Sequence, residues 1–313
     1  MTATLTSRTS DIRPAPLRTE GPFTVGSWYV AATVAEVPER GKVELSICGQ
    51  AVSFWRENGA IRGRAASQPD ETLDVRCTED LVWIYVSCGQ NGPESPRINV
   101  PEFDGPKGRV RFMEKVEIPA HQDDAIYGLL DPAHTPFVHR SPIWRGNGQL
   151  KRKKKNFEPS ELGFTMKPHA PVNSDIYKLI GGAISVTIEF RLPGLRAEYI
   201  SNAKHTVLGL TALTPKDERH TTLRQIFYWD TPVLNLLRPF ARMVARPFLQ
   251  QDVDIMALRR QNEPWANGKG MLVGDSDKQF LWYLQLKKEW QAAGYCPHTF
   301  DNPLESATLR WRT

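Results

Sequence analysis

Polar and apolar residues alternate strictly along 184–192. Ile184, Val186, Ile188, Phe190 and Leu192 are separated by Ser185, Thr187, Glu189 and Arg191. A two-residue period is that of a strand with one buried face, and Pro193-Gly194 closes it as a turn. Further strands are predicted near 195–201, 204–213 and 221–229, at hairpin spacing. The N-terminal third follows the same grammar. Ser27–Val30 reads as a strand, Val43, Leu45 and Ile47 alternate with polar residues, and Val52–Arg56 leads into Asn58-Gly59, a strong hairpin turn. Leu81–Val86 is a continuous apolar run, short enough for a strand buried on both faces. Arg109–Val116 alternates into another strand that ends near Pro119. Beyond residue 232 the period changes. Residues 232–262 read as helical, with Pro239 and Pro247 as punctuation. A last helix is predicted over about 276–293, opened by Asp275-Ser276-Asp277 and stopped by Gly294. The class is therefore α+β. With 89–106, rich in Gly, Pro and Asn, as a linker, the expected division is a disordered leader over 1–21, a β-domain over 22–100 and a larger domain over 101–313.

Composition narrows this only modestly. The chain has 313 residues, enough for two domains, with 40% hydrophobic and 24% charged residues, an ordinary globular balance. No apolar run approaches the roughly 18–20 residues of a membrane span, and the N-terminus lacks a hydrophobic signal core. Cys48, Cys77, Cys88 and Cys296 are scattered without CxxC or CxH spacing, which points to reduced thiols and a cytoplasmic setting. The net charge of +5 is partly concentrated in Lys151–Lys155. Without interleaved aromatics this run does not argue for nucleic acid. It reads as a solvated loop or strand end, or as a docking patch for an acidic electron-transfer partner.

The chemistry lies in 121–145, HQDDAIYGLLDPAHTPFVHRSPIWR. Asp131, His134 and His139 fall within nine residues. Two imidazoles suit non-haem iron, and one carboxylate from elsewhere would complete a facial triad with positions open to oxygen. On an ideal helix the two histidines stand roughly 140° apart and cannot face one ion. Pro132 and Pro136 predict a broken helix instead, which would turn both rings inward. Asp131 is then placed to orient a ring N–H of His134. Taken alone, the spacing also fits two unconnected polar histidines. For the missing carboxylate, Phe248, Asp252, Ile255 and Met256 share a helical face, so Asp252 lies in an apolar stripe. A carboxylate there needs a metal or a cation, and Arg242 and Arg259 are the alternatives to a metal. Asp254, roughly 200° around, is expected in solvent. His169, His205 and His220 are expected to play no part in a metal site.

The run Asp131-Pro132-Ala133-His134-Thr135-Pro136-Phe137-Val138-His139 resembles the D-x-x-H-x-x-x-x-H motif of Rieske non-haem iron oxygenases. The likeness extends to the Trp28-Tyr29-Val30-Ala31 entry, the Val52–Gly59 hairpin, the Leu81–Val86 strand and the tail Thr308–Arg312. It implies a Rieske-like β-domain followed by a helix-grip (START-like) catalytic domain with an antiparallel sheet. It further implies mononuclear Fe(II) on His134, His139 and Asp252, Asp131 as the bridging carboxylate of the electron path, and a trimer. Gly128 stands where the family often has Asn. The family's cluster ligands, a C-x-H and a C-x-x-H pair, would fall within 61–80, which holds one cysteine and no histidine; the first histidine of the chain is His121. A Rieske [2Fe–2S] centre needs two of each, so no cluster is expected here and the cluster-binding lobe reads as deleted. The implied function is oxygenation of a small apolar or aromatic substrate with O2, by hydroxylation or oxidative demethylation. The electron donor would act in trans, as a Rieske-bearing paralogue or a ferredoxin and its reductase. A non-catalytic partner subunit or a small-molecule-binding module are the alternatives.

Overall fold

The computed structural model describes residues 14–88, 97–139, 150–171, 181–262 and 274–313. The first thirteen residues of the expected leader, 89–96 of the linker and the end of the histidine-bearing stretch lie outside these. The N-terminal part contains β1 (Leu17–Thr19), β2 (Ser27–Thr33), β3 (Lys42–Ile47), β4 (Gln50–Glu57), β5 (Ala60–Ala65), β6 (Val75–Thr78) and β7 (Leu81–Cys88). The expected leader therefore ends in an ordered strand: β1 pairs in parallel with β7, because Leu17 is fully buried. β2 and β6 pair antiparallel with β7, while β3, β4 and β5 form a separate three-stranded sheet. Asn58 and Gly59, with φ of 51° and 76°, make the two-residue turn between β4 and β5. That positive-φ pair is what a type I′ hairpin turn requires.

The unbroken apolar run of β7 has a packing cause, since both its faces are covered. Trp83 and Tyr85 join Trp28 and Val30 against the large C-terminal sheet. Val82, Ile84 and Val86 join Tyr29 and Ala31 over Phe54 of the hairpin sheet. Alternate residues thus feed two cores from one strand.

The third and largest sheet has eight strands in the order β15-β9-β10-β11-β12-β13-β14-β8, all antiparallel. Its members are β8 (Phe112–Ile118), β9 (Arg152–Ser160), β10 (Gly163–His169), β11 (Ser185–Arg191), β12 (Leu195–Ser201), β13 (Thr206–Pro215), β14 (Thr221–Trp229) and β15 (Ala307–Arg312). The basic run proves to be strand rather than loop. Arg152 and Lys154 of β9 are exposed, and Phe157 turns into the core.

Four helices complete the described fold: α1 (Gln122–Leu130), α2 (Thr135–Val138), α3 (Pro232–Asn262) and α4 (Lys278–Ala292). α3 runs through both prolines. Each costs about 3 kcal/mol in a helix interior, so tertiary contacts must hold α3 in place. They lie along β8. The buried Glu114 carboxylate takes Arg242 Nε at 3.3 Å, and Arg260 donates to the Pro119 carbonyl at 3.4 Å. α4 buries Trp282, Tyr283, Leu286 and Trp290, packing on Phe157, Phe164 and Phe190 of the sheet. Among the described residues no helix is long and apolar enough to cross a membrane.

The N-terminal strands and the eight-stranded sheet are pinned by one charged cluster. Glu36, in a 3-10 turn (Val34–Glu36), meets Lys115 Nζ of β8 at 2.6 Å and Arg224 Nε of β14 at 3.7 Å. Burial alone would raise the Glu36 pKa. The Arg224 and Lys115 charges and the Thr33 amide N–H outweigh it and hold the carboxyl below its usual value.

Candidate metal centre

α1 buries Gln122, Ala125, Ile126 and Leu130 and stops at Asp131, whose extended backbone leaves the helix. The Asp131 carboxylate does not orient a ring N–H, contrary to the expectation from spacing. Its Oδ1 accepts from the Ala133 amide at 2.8 Å, and the backbone carbonyl of Asp131 is the partner of His134 Nδ1, at 2.5 Å. A carboxylate two residues before an amide N–H closes a local turn more readily than it reaches out.

α2 is one turn long. His134 is its N-cap and His139 its C-cap, with Pro136 in the first turn. Proline is tolerated there, where no intrahelical donor is lost. Because both histidines cap rather than belong to the helix, the 140° disagreement disappears. Their ring centroids lie 5.3 Å apart.

Asp252 completes the group from α3. His139 Nε2 lies 3.5 Å and His134 Nε2 3.8 Å from Asp252 Oδ1, and one ligand atom from each of the three residues falls within a 4.8 Å span. Atoms held about 2.1 Å from one ion as the mutually cis ligands of a facial triad stand about 3.0 Å apart, so the spacing found is somewhat wider than that of a bound site and needs a small inward shift of the side chains. The cations that could have neutralised Asp252 are engaged elsewhere: Arg242 with Glu114 and Arg259 with Asp124. Asp254 is exposed and paired with Gln250.

The rings are also prepared electronically. His134 Nδ1 faces the Asp131 carbonyl, and His139 Nδ1 faces Gln251 Oε1 at 3.2 Å. Carbonyl acceptors place the proton on Nδ1 and leave the Nε2 lone pairs pointing inward, the form that binds a metal. His139 Nε2 is buried without a hydrogen-bond partner among the described residues, a state that a metal would relieve. Burial, and then the neighbouring His134, lower the His139 pKa to about 4. Burial raises the Asp252 carboxyl to about 6 against the opposing pull of His134. Phe248 stacks on His139 with centroids 3.8 Å apart. These residues fit a divalent ion with borderline nitrogen and oxygen preference.

Gln251 and Phe248 were not anticipated as site residues. The sequence signals that could have found them are the helical phase of Phe248, four residues before Asp252, and the place of Gln251 directly before Asp252 in the Gln-Asp-x-x-Ile-Met run. His205 pairs with Asp230, His220 with Asp217, and His169 Nδ1 with its local backbone; none joins the centre. At Gly128 an added Cβ would meet only Met256 Sδ, at an ordinary 3.7 Å.

The fold class is a mixed α+β architecture built on antiparallel sheets, and solved structures share it. Dicamba monooxygenase bound to dicamba matches with a TM-score of 0.61 at 15% identity, over 87% of this chain and 100% of that one. Dicamba monooxygenase with non-heme iron and dicamba matches with 0.60 at 14%, over 87% and 98%. NdmA of Pseudomonas putida CBB5, a mutant with theobromine, matches with 0.60 at 12%, over 90% and 95%. At these identities the likeness is one of fold. No protein-family profile matches the chain. Among curated proteins, the probable methylxanthine N7-demethylase NdmC of Pseudomonas sp. (strain TJI-51) is 26% identical over 125 residues, 39% of this chain and 42% of that relative. The match thus spans less than half of the relative's length.

Proposed function

We propose that this chain is the iron-bearing subunit of a Rieske-type oxygenase whose electrons arrive from a separate protein. The reaction class is O2-dependent hydroxylation or oxidative demethylation of a small apolar or aromatic substrate. The curated demethylase relative favours demethylation. The observation that carries the reading is the convergence of two Nδ1-tethered imidazoles on one half-buried carboxylate.

His134 and His139 offer Nε2, and Asp252 offers an oxygen and the one negative charge. Three protein ligands leave positions free for substrate-side chemistry. Fe(II), when bound there, supplies dioxygen activation. The Asp131 carbonyl and Gln251 hold the rings at fixed angles, and Phe248 keeps water from one face of His139. The bridging role expected of the Asp131 carboxylate requires it to leave the Ala133 amide, because the group of Asp131 that meets His134 Nδ1 is the backbone carbonyl.

The donor is placed in trans because 61–80 offers one cysteine and no histidine. The segment between β5 and β6 is short and tied down, with Leu73 N–H on the Gly63 carbonyl and Asp74 N–H on the Ala15 carbonyl. On this reading 22–100 is a Rieske-like frame without its cluster lobe and 101–313 is a helix-grip catalytic domain. A Rieske-bearing paralogue in a mixed trimer is then the most economical donor.

Metal and acid-labile sulfide analysis of the anaerobically purified chain, beside His134→Ala, tests this. The expected result is about one iron per chain without sulfide, lost in the variant, as three ligands on one mononuclear ion require. No iron after reconstitution, or sulfide in the wild type, overturns the reading.

A further inference from the structure

β15 is an edge of the eight-stranded sheet, at the end opposite β8, and among the described residues it pairs with β9 alone. Beyond its last residue, Thr313 and Lys151 exchange both backbone hydrogen bonds, at 2.9 and 3.1 Å. The antiparallel ladder alternates from there. Trp311, Leu309 and Ala307 bond inward to β9, while Arg312, Arg310 and Thr308 turn their backbone N–H and C=O groups outward. Arg310 shows this directly, because its amide donates to Asp275 Oδ2 at 2.7 Å.

The register sets Lys154 opposite Arg310 and Arg152 opposite Arg312. Both are pairs of the non-hydrogen-bonded kind, in which facing side chains stand closest. All four cations are exposed on one face of the ribbon, and Leu309 and Trp311 are buried on the other. Among the described residues none of the four side chains meets a carboxylate. Like charges directly opposite destabilise a strand pair. A charged edge strand guards a sheet against association with other sheets, but that purpose needs cations on β15 only. It does not call for a second row facing them on β9. The arrangement therefore costs the free chain stability that an anionic neighbour would restore.

We propose that this edge docks an extended acidic segment of another protein, which adds beside β15 as a further strand with Asp or Glu at every second position. The outward backbone groups of Thr308, Arg310 and Arg312 give the affinity, and the alternation gives the specificity. Acidic side chains fall on the cation face, and the intervening residues fall on the side of Leu309 and Trp311. Asp275 already holds the middle amide of the edge with a carboxylate, and the incoming strand displaces it. A second copy pairing edge to edge would set Arg310 and Arg312 against themselves. Nucleic acid or lipid headgroups would answer the charge and leave the row of outward amides and carbonyls unpaired. The inference rests on the sheet edge and is independent of the metal reading.

Titration of the full chain with a synthetic peptide of alternating Glu and Val, followed by hydrogen–deuterium exchange, tests this. The expected result is saturable binding that slows exchange at the Thr308 and Arg312 amides. Arg310→Glu, or a peptide of the same composition with its Glu residues in one block, should bind at least about tenfold more weakly. Lys154→Gln should weaken binding and raise the Tm of the free chain, since it relieves the repulsion. Equal binding of the block peptide, binding without slowed exchange at Thr308 and Arg312, or a lowered Tm in Lys154→Gln overturns the proposal. So does a chain that ignores the peptide and takes transfer RNA or phosphatidylserine vesicles instead.

Discussion

Replacing Gln251 by Met removes the acceptor that holds His139 while keeping side-chain length and helix propensity. In the wild type Gln251 Oε1 lies 3.2 Å from His139 Nδ1, and that ring is only 1% exposed. Water cannot easily take the amide's place. The ring keeps its stack on Phe248, with centroids 3.8 Å apart, so its plane is retained while its tautomer and tilt are freed. Loss of such an orienting partner weakens metal binding about 10–100-fold, which is about 1.4–2.7 kcal/mol. Titration with Co(II), followed by its visible absorption or by calorimetry, reads the affinity directly. Gln250→Met is the control, because Gln250 is exposed and pairs with Asp254 away from the centre. Affinity for Gln251→Met within about threefold of the wild type, or an equal loss in Gln250→Met, refutes the tethering argument.

Two further predictions concern the scaffold. Glu36→Gln should destabilise the chain by about 3 kcal/mol at pH 7, the lower end for a broken buried pair because Glu36 stays partly exposed. The Glu36 pKa is depressed in the folded chain, so its stabilising effect is complete above about pH 4.5 and is lost as pH falls through the lower folded value. Urea unfolding of wild type and variant should therefore converge on acidification, and a gap that stays constant with pH counts against the ion cluster. Phe54→Ala should cost about 3–5 kcal/mol by opening a cavity in the N-terminal core, since Phe54 is fully buried there. Co(II) affinity of its folded fraction should be unchanged, and a parallel loss of affinity would mean that the two cores are not independent supports.

Much of this protein is legible in one dimension. The period-two strand at 185–191, the Asn58-Gly59 turn and the continuous run of β7 follow from local alternation, turn chemistry and burial on two faces. The helical phase of Phe248, Asp252 and Met256 separated Asp252 from Asp254 before any coordinates. Pro132 and Pro136 announced that His134 and His139 do not sit on a regular helix, since each proline removes a donor whatever its surroundings. Other features depended on long-range contact. β1 exists because Leu17 finds β7, far along the chain. α3 runs through Pro239 and Pro247 because contacts along β8 hold it. Asp252 is left to the histidines because Glu114 and Asp124 engage Arg242 and Arg259. The orienting partner of His134 is a backbone carbonyl, which every residue carries and no pattern of side chains can reveal. The sequence by itself determined which residues have the chemistry and which local conformations their neighbours forbid. The tertiary structure alone decided that two imidazoles and a carboxylate more than a hundred residues apart meet within 4.8 Å, because that meeting depends on how an eight-stranded sheet and a long helix bring distant segments together.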